Sequence, residues 1–146
     1  MVILGLTGSI AMGKTDAAKA FRRLGIHVHD ADKVVHELLG HDGLAVDQVG
    51  ALFPGTVNDG RVDRTALGQW VFGDGDALLR LEAILHPLVH KAERRFLSAA
   101  ARRRDKIVVL DIPLLFETEG ESRCEFVAVV TAPVRIQRAR DFNRPG

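Results

Sequence analysis

A glycine-rich segment near the amino terminus has the residue types and the spacing of a phosphate-binding loop. The stretch "GSIAMGKT", Gly8 to Thr15, matches the pattern G-x-x-x-x-G-K-[ST]. The glycines let the backbone approach phosphate oxygens, Lys14 can reach the β- and γ-phosphates, and the Thr15 hydroxyl can complete a magnesium shell. The pattern predicts a nucleoside triphosphate site made by Gly8, Ser9, Ile10, Ala11, Met12, Gly13, Lys14 and Thr15.

Three aspartates follow apolar runs and are candidates for the chemistry of phosphoryl transfer. Asp30 and Asp32 follow the run at 26–29, where an aspartate can accept a proton from an acceptor hydroxyl. Either residue could instead cap the helix that follows. Asp111 lies in the run at 107–112, where it could order magnesium or its water, or could cap the strand.

Three arginines near the carboxyl terminus are candidates for contacts with phosphate. Arg138, Arg140 and Arg144 carry guanidinium groups, whose donors match the negative charge that spreads over a moving phosphoryl group. Each of them, taken singly, is also compatible with an ordinary position on the surface.

The apolar runs that must position these residues predict an α/β fold. Runs at 2–6, 26–29, 107–112 and 126–130 predict strands, and three of the four are apolar on both faces. Strands of that kind are covered by helices on both sides. We therefore expect a P-loop kinase-like parallel sheet of about four strands, flanked by helices.

The segment between the second and third strands predicts a helical insert. Proline lacks an amide hydrogen, so we expect a kink or a restart at His86 and Pro87, within the last and longest of its helices. The segment at 57–62 predicts a tight turn. Helical spacing of apolar residues predicts helices at 14–24, 33–39, about 44–53, about 64–72 and 76–104.

The end of the chain predicts one more helix, from about 134 to 142. If no further strand pairs with it, the strand at 126–130 would have an unpaired edge. We therefore expect the natural chain to continue beyond Gly146.

Composition limits the classes of protein to which the chain can belong. With 20 basic and 19 acidic residues the net charge is +1, so no overall field favours nucleic acid or an anionic membrane. The basic cluster at 102–106 is expected to be a solvated helix end whose cations complement the helix dipole.

Cysteine content and hydropathy point to the cytoplasm. The single cysteine, Cys124, provides neither a disulfide nor a zinc site. No apolar segment approaches the roughly 20 residues of a membrane span. We expect a soluble, cytoplasmic protein without nucleic acid or membrane partners, and the sequence leaves its oligomeric state open.

The sequence resembles the dephospho-CoA kinase family in five segments, which stand in the family's order. They are "GLTGSIAMGKT", "DAD" after the second strand, "LHPLV" at 85–89, "DIPLLFE" at 111–117 and "QRAR" at 137–140. The resemblance implies phosphorylation of the ribose 3′-hydroxyl of dephospho-CoA, with ATP and Mg²⁺ as the cofactors and ATP and dephospho-CoA as the small-molecule partners.

The resemblance also implies roles for individual residues. Asp32 matches the aspartate that activates the acceptor hydroxyl, and Lys14 and Arg140 are implied to be catalytic as well. Arg144 matches the first arginine of a lid that closes over ATP. The metal ligands are implied to be Thr15 and Asp111, and the residues that contact the acceptor are implied to be Asp32, His86 and Leu115.

A division into domains follows from the same resemblance. It implies a nucleotide-binding core at 1–32 and 105–146, an acceptor-binding helical insert at 33–104, and a lid that begins near residue 140. The rest of that lid and a fifth strand would lie beyond the given chain. The family usually has glycine where Ser9 and Ala11 stand in this loop.

Two alternatives stay open at this point. Another P-loop kinase, such as a nucleoside monophosphate kinase, would share the ATP site and take a different acceptor. A nucleotide-binding fragment would bind without turnover. A GTPase switch is disfavoured, because the sequence has no N-K-x-D motif for reading guanine.

Overall fold

The computed structural model describes residues 1–8, 13–111, 124–130 and 135–138, and the structural statements that follow concern these residues. The strands are β1 (Val2–Gly8), β2 (Val28–Asp30), β3 (Val57–Asn58), β4 (Arg61–Val62), β5 (Ile107–Asp111), β6 (Phe126–Val130) and β7 (Arg135–Arg138). The helices are α1 (Lys14–Arg23), α2 (Ala31–Leu39), α3 (Val46–Leu52), α4 (Arg64–Val71) and α5 (Gly75–Arg103).

The chain divides into two units. One unit combines Met1–Asp32 with Arg95–Gly146, and the other is Lys33–Arg94. The first unit contains a five-stranded sheet in the order β2-β5-β1-β6-β7, in which the first four strands run parallel. The predicted α/β fold with four parallel strands is confirmed.

Both faces of this sheet are covered, as the apolar runs require. On one face, Leu6 and Val109 are fully buried in a cluster that includes Ala18 of α1. On the other face, Leu110 packs in a cluster with Phe96 of α5. Neighbouring residues of one strand point to opposite faces, so a strand covered twice must be apolar at every position.

The prediction of a last helix is wrong over the residues that the structure describes. Arg135–Arg138 forms β7, which pairs antiparallel with β6, with Val127 opposite Gln137. The predicted unpaired edge of β6 is therefore also wrong. The backbone groups of β6 need hydrogen-bond partners, and pairing with β7 supplies them. This pairing outweighs the local sequence pattern that favours a helix. The other residues of the predicted helix lie outside the described ones.

The Lys33–Arg94 unit is mainly helical and has a core of its own. Its centre includes Phe53 and Val49, which are fully buried. The predicted turn at 57–62 is a hairpin of β3 and β4. Asp59 and Gly60 have φ angles of 53° and 73°, the conformation that two-residue hairpin turns require.

Helix α5 was expected to kink or to restart at His86 and Pro87. The restart does not occur, because α5 runs from Gly75 to Arg103 with Pro87 inside it. Proline removes one hydrogen bond of the helix, while Leu85 on one side of it is buried and Leu88 on the other packs against the same core. That packing holds the helix together through the break in its bonding pattern. Among the described helices, none has the length and apolar character to cross a membrane.

Candidate active site

The loop that precedes α1 is bounded by the two glycines of the motif. Gly8 ends β1 with a φ of 125°, and Gly13 stands just before α1 with a φ of 86°. These are backbone conformations that side chains with a Cβ atom rarely adopt, which explains glycine at both positions. The first-turn amides of α1 have no partner within the helix and lie at its positive end. Residues 9–12, between the glycines, lie outside the described residues.

Lys14, the first residue of α1, forms an ion pair with the last residue of β5. Its Nζ atom lies 2.6 Å from Oδ1 of Asp111. The side chains are only 5% and 10% exposed, so water screens the attraction weakly. The carboxylate and the ammonium are therefore held together at the carboxyl end of the parallel strands.

Strand register explains why Asp111 meets other carboxylates there. Asp111 is paired with Leu6 of β1 on one side and with Asp30 of β2 on the other. Val28 and Val109 belong to the cluster packed on α1, and alternation places Asp30 and Asp111 on that same face. Strand β2 was predicted at 26–29, and its observed position puts Asp30 at the strand end itself.

The surroundings of Asp111 shift the pKa of its carboxyl group. Burial, the largest effect, raises the pKa of this carboxyl, and the nearby charges of Asp30 and Asp32 act in the same direction. The Lys14 ammonium opposes them, and the pKa remains raised from its ordinary value. The site thus combines one buried ion pair with two further carboxylates whose charges act on Asp111.

Asp30 and Asp32 occupy different positions relative to α2. The helix begins at Ala31, so Asp30 stands where an N-cap residue stands and Asp32 is the second helical residue. The Asp32 side chain is exposed, whereas Asp30 is half-buried. A ligand can therefore reach Asp32 from solvent.

The residues suggested for magnesium fit that metal by their chemistry. Thr15 lies in the first turn of α1 with its side chain exposed, and Asp111 supplies a carboxylate at the same end of the sheet. The described residues contain no group of three His, Cys, Asp or Glu side chains that could hold a metal. Magnesium commonly takes one or two carboxylates and completes its shell with substrate phosphates and water.

Some predicted site residues cannot be placed beside these groups. His86 lies on α5 within the Lys33–Arg94 unit, where its ring faces that of His90 edge-on at 6.2 Å. The other residues of this kind lie outside the described ones: Ser9, Ile10, Ala11, Met12, Leu115, Arg140 and Arg144.

Sequence reasoning singled out His86 on α5 but missed His90 and Glu93, which lie on the same face of that helix. Glu93 is buried, with 6% of its surface exposed. The signal was available in the spacing, because residues four and seven positions apart share one face of a helix.

The family model described as dephospho-CoA kinase matches residues 2–146. The chain belongs to the dephospho-CoA kinase family. Among curated members, the dephospho-CoA kinase of Paramagnetospirillum magneticum is 65% identical over all of this chain and 69% of its own length. That of Rhodospirillum rubrum is 56% identical over 99% of this chain and 69% of its own length.

Solved structures agree with this assignment to the dephospho-CoA kinase family. A crystal structure of a protein from Thermus thermophilus has a TM-score of 0.74 and 35% identity, and the match covers 89% of this chain. The dephospho-CoA kinase from Campylobacter jejuni has a TM-score of 0.67 and 27% identity, over 87% of this chain. The matches cover 65% and 64% of those two solved chains.

Proposed function

We propose that this member of the dephospho-CoA kinase family transfers the γ-phosphoryl group of ATP to the ribose 3′-hydroxyl of dephospho-CoA, giving coenzyme A and ADP. The observation that carries the proposal is the buried ion pair of Lys14 and Asp111, with the charges of Asp30 and Asp32 close enough to Asp111 to raise its pKa. A lysine at the start of the helix that follows β1, next to carboxylates at the ends of parallel strands, suits phosphoryl transfer.

Binding of ATP is proposed to use the loop from Gly8 to Thr15. The first-turn amides of α1 bind phosphate oxygens, and Lys14 holds the β- and γ-phosphates. Thr15 and Asp111 would hold Mg²⁺, which neutralises charge on the phosphates when it is bound. Arg140 and Arg144 are proposed to contact phosphate and to begin the lid over ATP.

Activation of the acceptor is assigned to Asp32. Its exposed carboxylate lies close enough to raise the pKa of Asp111. It can accept the proton of the attacking hydroxyl while holding that hydroxyl in line with the γ-phosphate. His86 and Leu115 are proposed to contact dephospho-CoA, with 33–104 as its binding insert. Since both substrates are small soluble molecules, the protein is proposed to act in the cytoplasm.

The variant Asp32→Asn tests the proposal. Asparagine keeps the size of the side chain but loses the proton acceptor, so turnover should fall about 10²- to 10⁴-fold. Asp76→Asn is a matched control, because Asp76 is also exposed and also the second residue of its helix. The steady-state rate of ADP release, the dissociation constant of ATP and the melting temperature are measured for the wild type and for each variant of the natural protein.

The outcomes separate catalysis from a structural role. We expect Asp32→Asn to lose turnover with ATP binding and melting temperature nearly unchanged, and Asp76→Asn to keep all three. If Asp32→Asn keeps more than about a tenth of the wild-type rate, Asp32 is not the base. Faster ADP release with a nucleoside monophosphate than with dephospho-CoA would contradict the assignment of dephospho-CoA as the acceptor.

A further inference from the structure

An arginine of the Lys33–Arg94 unit contacts a histidine from another element of the same unit. Nη1 of Arg64, the first residue of α4, lies 3.2 Å from Nδ1 of His36 on α2, and both side chains are exposed. A guanidinium group only donates hydrogen bonds, so Nδ1 of the imidazole is the acceptor. The imidazole proton is therefore on Nε2, and both side chains have donors left for a further group.

The packing of the two helices fixes where these exposed side chains stand. Leu38 of α2 and Leu67 of α4 are buried in the same core. The start of α4 is fixed by Asp63, whose side chain accepts hydrogen bonds from the amides of Thr65 and Ala66 at 3.0 Å and 3.2 Å. That carboxylate is thus engaged with the backbone, although it stands next to the arginine in the chain.

Arg64 has a positive charge with no acidic counterpart in the part of the chain that the structure describes, where no carboxylate forms an ion pair with it. The guanidinium of Arg103, by contrast, lies 2.8 Å from the carboxylate of Asp105. A guanidinium group beside an imidazole N–H donor matches the oxygens of a phosphate group. The pair of His36 and Arg64 is therefore suited to a phosphorylated ligand.

The position of His36 on α2 indicates which phosphate this is. Asp32 and His36 are four residues apart on α2, so they share one face of the helix and lie about 6 Å apart along its axis. In dephospho-CoA the 5′-diphosphate is attached to the same ribose as the 3′-hydroxyl, only a few covalent bonds away. An acceptor whose hydroxyl meets Asp32 can therefore reach the next turn of α2 with its diphosphate.

We propose that His36 and Arg64 bind the 5′-diphosphate of dephospho-CoA and so make the acceptor site selective for a nucleoside that carries this group. The proposal rests on the proposed function, since it takes dephospho-CoA as the acceptor and Asp32 as the base. Nε2 of His36 donates to one phosphate oxygen, and the N–H groups of Arg64 that do not contact the histidine donate to others. Both residues determine specificity and do not touch the reacting atoms.

The variant Arg64→Met tests the proposal, because it removes the charge and keeps an unbranched side chain. The KM for dephospho-CoA should rise about 10- to 100-fold, since hydrogen bonds to a charged group are lost. The kcat and the KM for ATP should stay near the wild-type values, because the lost contact is the same before and during the reaction. Arg64→Lys keeps the charge without the planar fork and should recover part of the loss.

Adenosine serves as a second acceptor, because it has the 3′-hydroxyl and lacks the diphosphate. In Arg64→Met the ratio of kcat/KM for dephospho-CoA to kcat/KM for adenosine should fall at least about tenfold, since adenosine loses no contact. Arg61→Met is the matched control, because Arg61 is also exposed and belongs to the same unit. We expect this control to keep the wild-type ratio. Steady-state ADP release and the melting temperature are measured for each variant of the natural protein.

Three results overturn the proposal. They are an unchanged KM for dephospho-CoA in Arg64→Met, a rise in the KM for ATP alone, and an equal fall of kcat/KM for both acceptors, as a merely structural role predicts. If Arg64→Met does not fold, His36→Leu replaces it, and its KM for dephospho-CoA should rise about three- to tenfold. A wild type that releases ADP with neither acceptor contradicts the proposed function, whereas an active wild type with an unchanged KM in the variants contradicts this proposal alone.

Discussion

The two ends of β5 carry the same residue type in opposite environments. Asp105, just before the strand, accepts hydrogen bonds from the Arg103 guanidinium and lies 3.4 Å from His27 Nδ1. These contacts hold the pKa of the Asp105 carboxyl below its ordinary value, and the hydrogen bonding from Arg103 has the largest effect. At the other end, burial raises the pKa of Asp111 although a lysine touches it. The difference shows that desolvation and neighbouring carboxylates outweigh a single ion pair when the site is buried.

The largest expected difference between the two ends concerns the cations. Lys14→Ala removes the ammonium from the proposed phosphate site, and turnover should fall about 10²- to 10³-fold. Arg103→Ala removes the cation at the other end and should leave turnover at the wild-type value. Steady-state ADP release measures both variants, and equal losses would mean that the two ends do not differ in function.

Lys14→Ala should also lower the free energy of unfolding. Removing one partner of a buried pair costs up to about 3–5 kcal/mol, and protonation of Asp111 relieves part of that cost. Denaturant unfolding checks this, with Lys19→Ala as the control, since Lys19 lies on the same helix with its side chain exposed. A Lys14→Ala protein as stable as the Lys19→Ala protein would show that the pair contributes no stability.

A smaller effect is expected in the pH dependence of stability at the buried end. Because the folded-state pKa of Asp111 is raised, the folded chain binds more protons than the unfolded chain between pH 3.8 and that raised value. The free energy of unfolding should therefore decrease as the pH rises through this window. Asp111→Asn should lack this decrease, which denaturant unfolding at a series of pH values measures.

The smallest effect is expected at the exposed end, and it has the opposite sign. The lowered pKa of Asp105 means that its contribution to stability is present above pH 3.8 and is lost as the pH falls through the lowered value. Solvent screens this carboxylate, so Asp105→Asn should lower the free energy of unfolding only slightly at neutral pH, and this small difference from the wild type should vanish in strong acid. A loss at neutral pH as large as that of Lys14→Ala would remove the contrast between the two ends.

Much of the fold was predictable because its signals are local. The runs of β1 and β5 are apolar at successive positions, which indicates strands covered on both faces, and the structure places Leu6, Val109 and Leu110 in that way. The glycines at 8 and 13 marked the ends of the loop. Capping and catalysis could not be separated for Asp30 and Asp32, because a shift of two residues in the start of α2 would put Asp32 instead of Asp30 at the N-cap position.

Other features depended on distant partners and were missed or predicted wrongly. The residues of β7 have a local helical pattern, but β6 needed partners for its backbone groups. Pro87 was expected to kink α5 or to make it restart; the restart does not occur, since residues on both sides of Pro87 pack against the same core. These outcomes were decided by contacts that no short window of sequence contains.

By itself the sequence determined the two glycines that bound the loop before α1, the parallel strands and the types of residue at the strand ends, because backbone freedom and hydropathy are properties of each residue and its near neighbours. Only the tertiary structure decided that Lys14 pairs with Asp111 and that Asp30 lies beside it. The physical reason is strand order: β5 is inserted between β2 and β1, so residues about 80 and 100 positions apart meet at one buried point whose charges depend on one another.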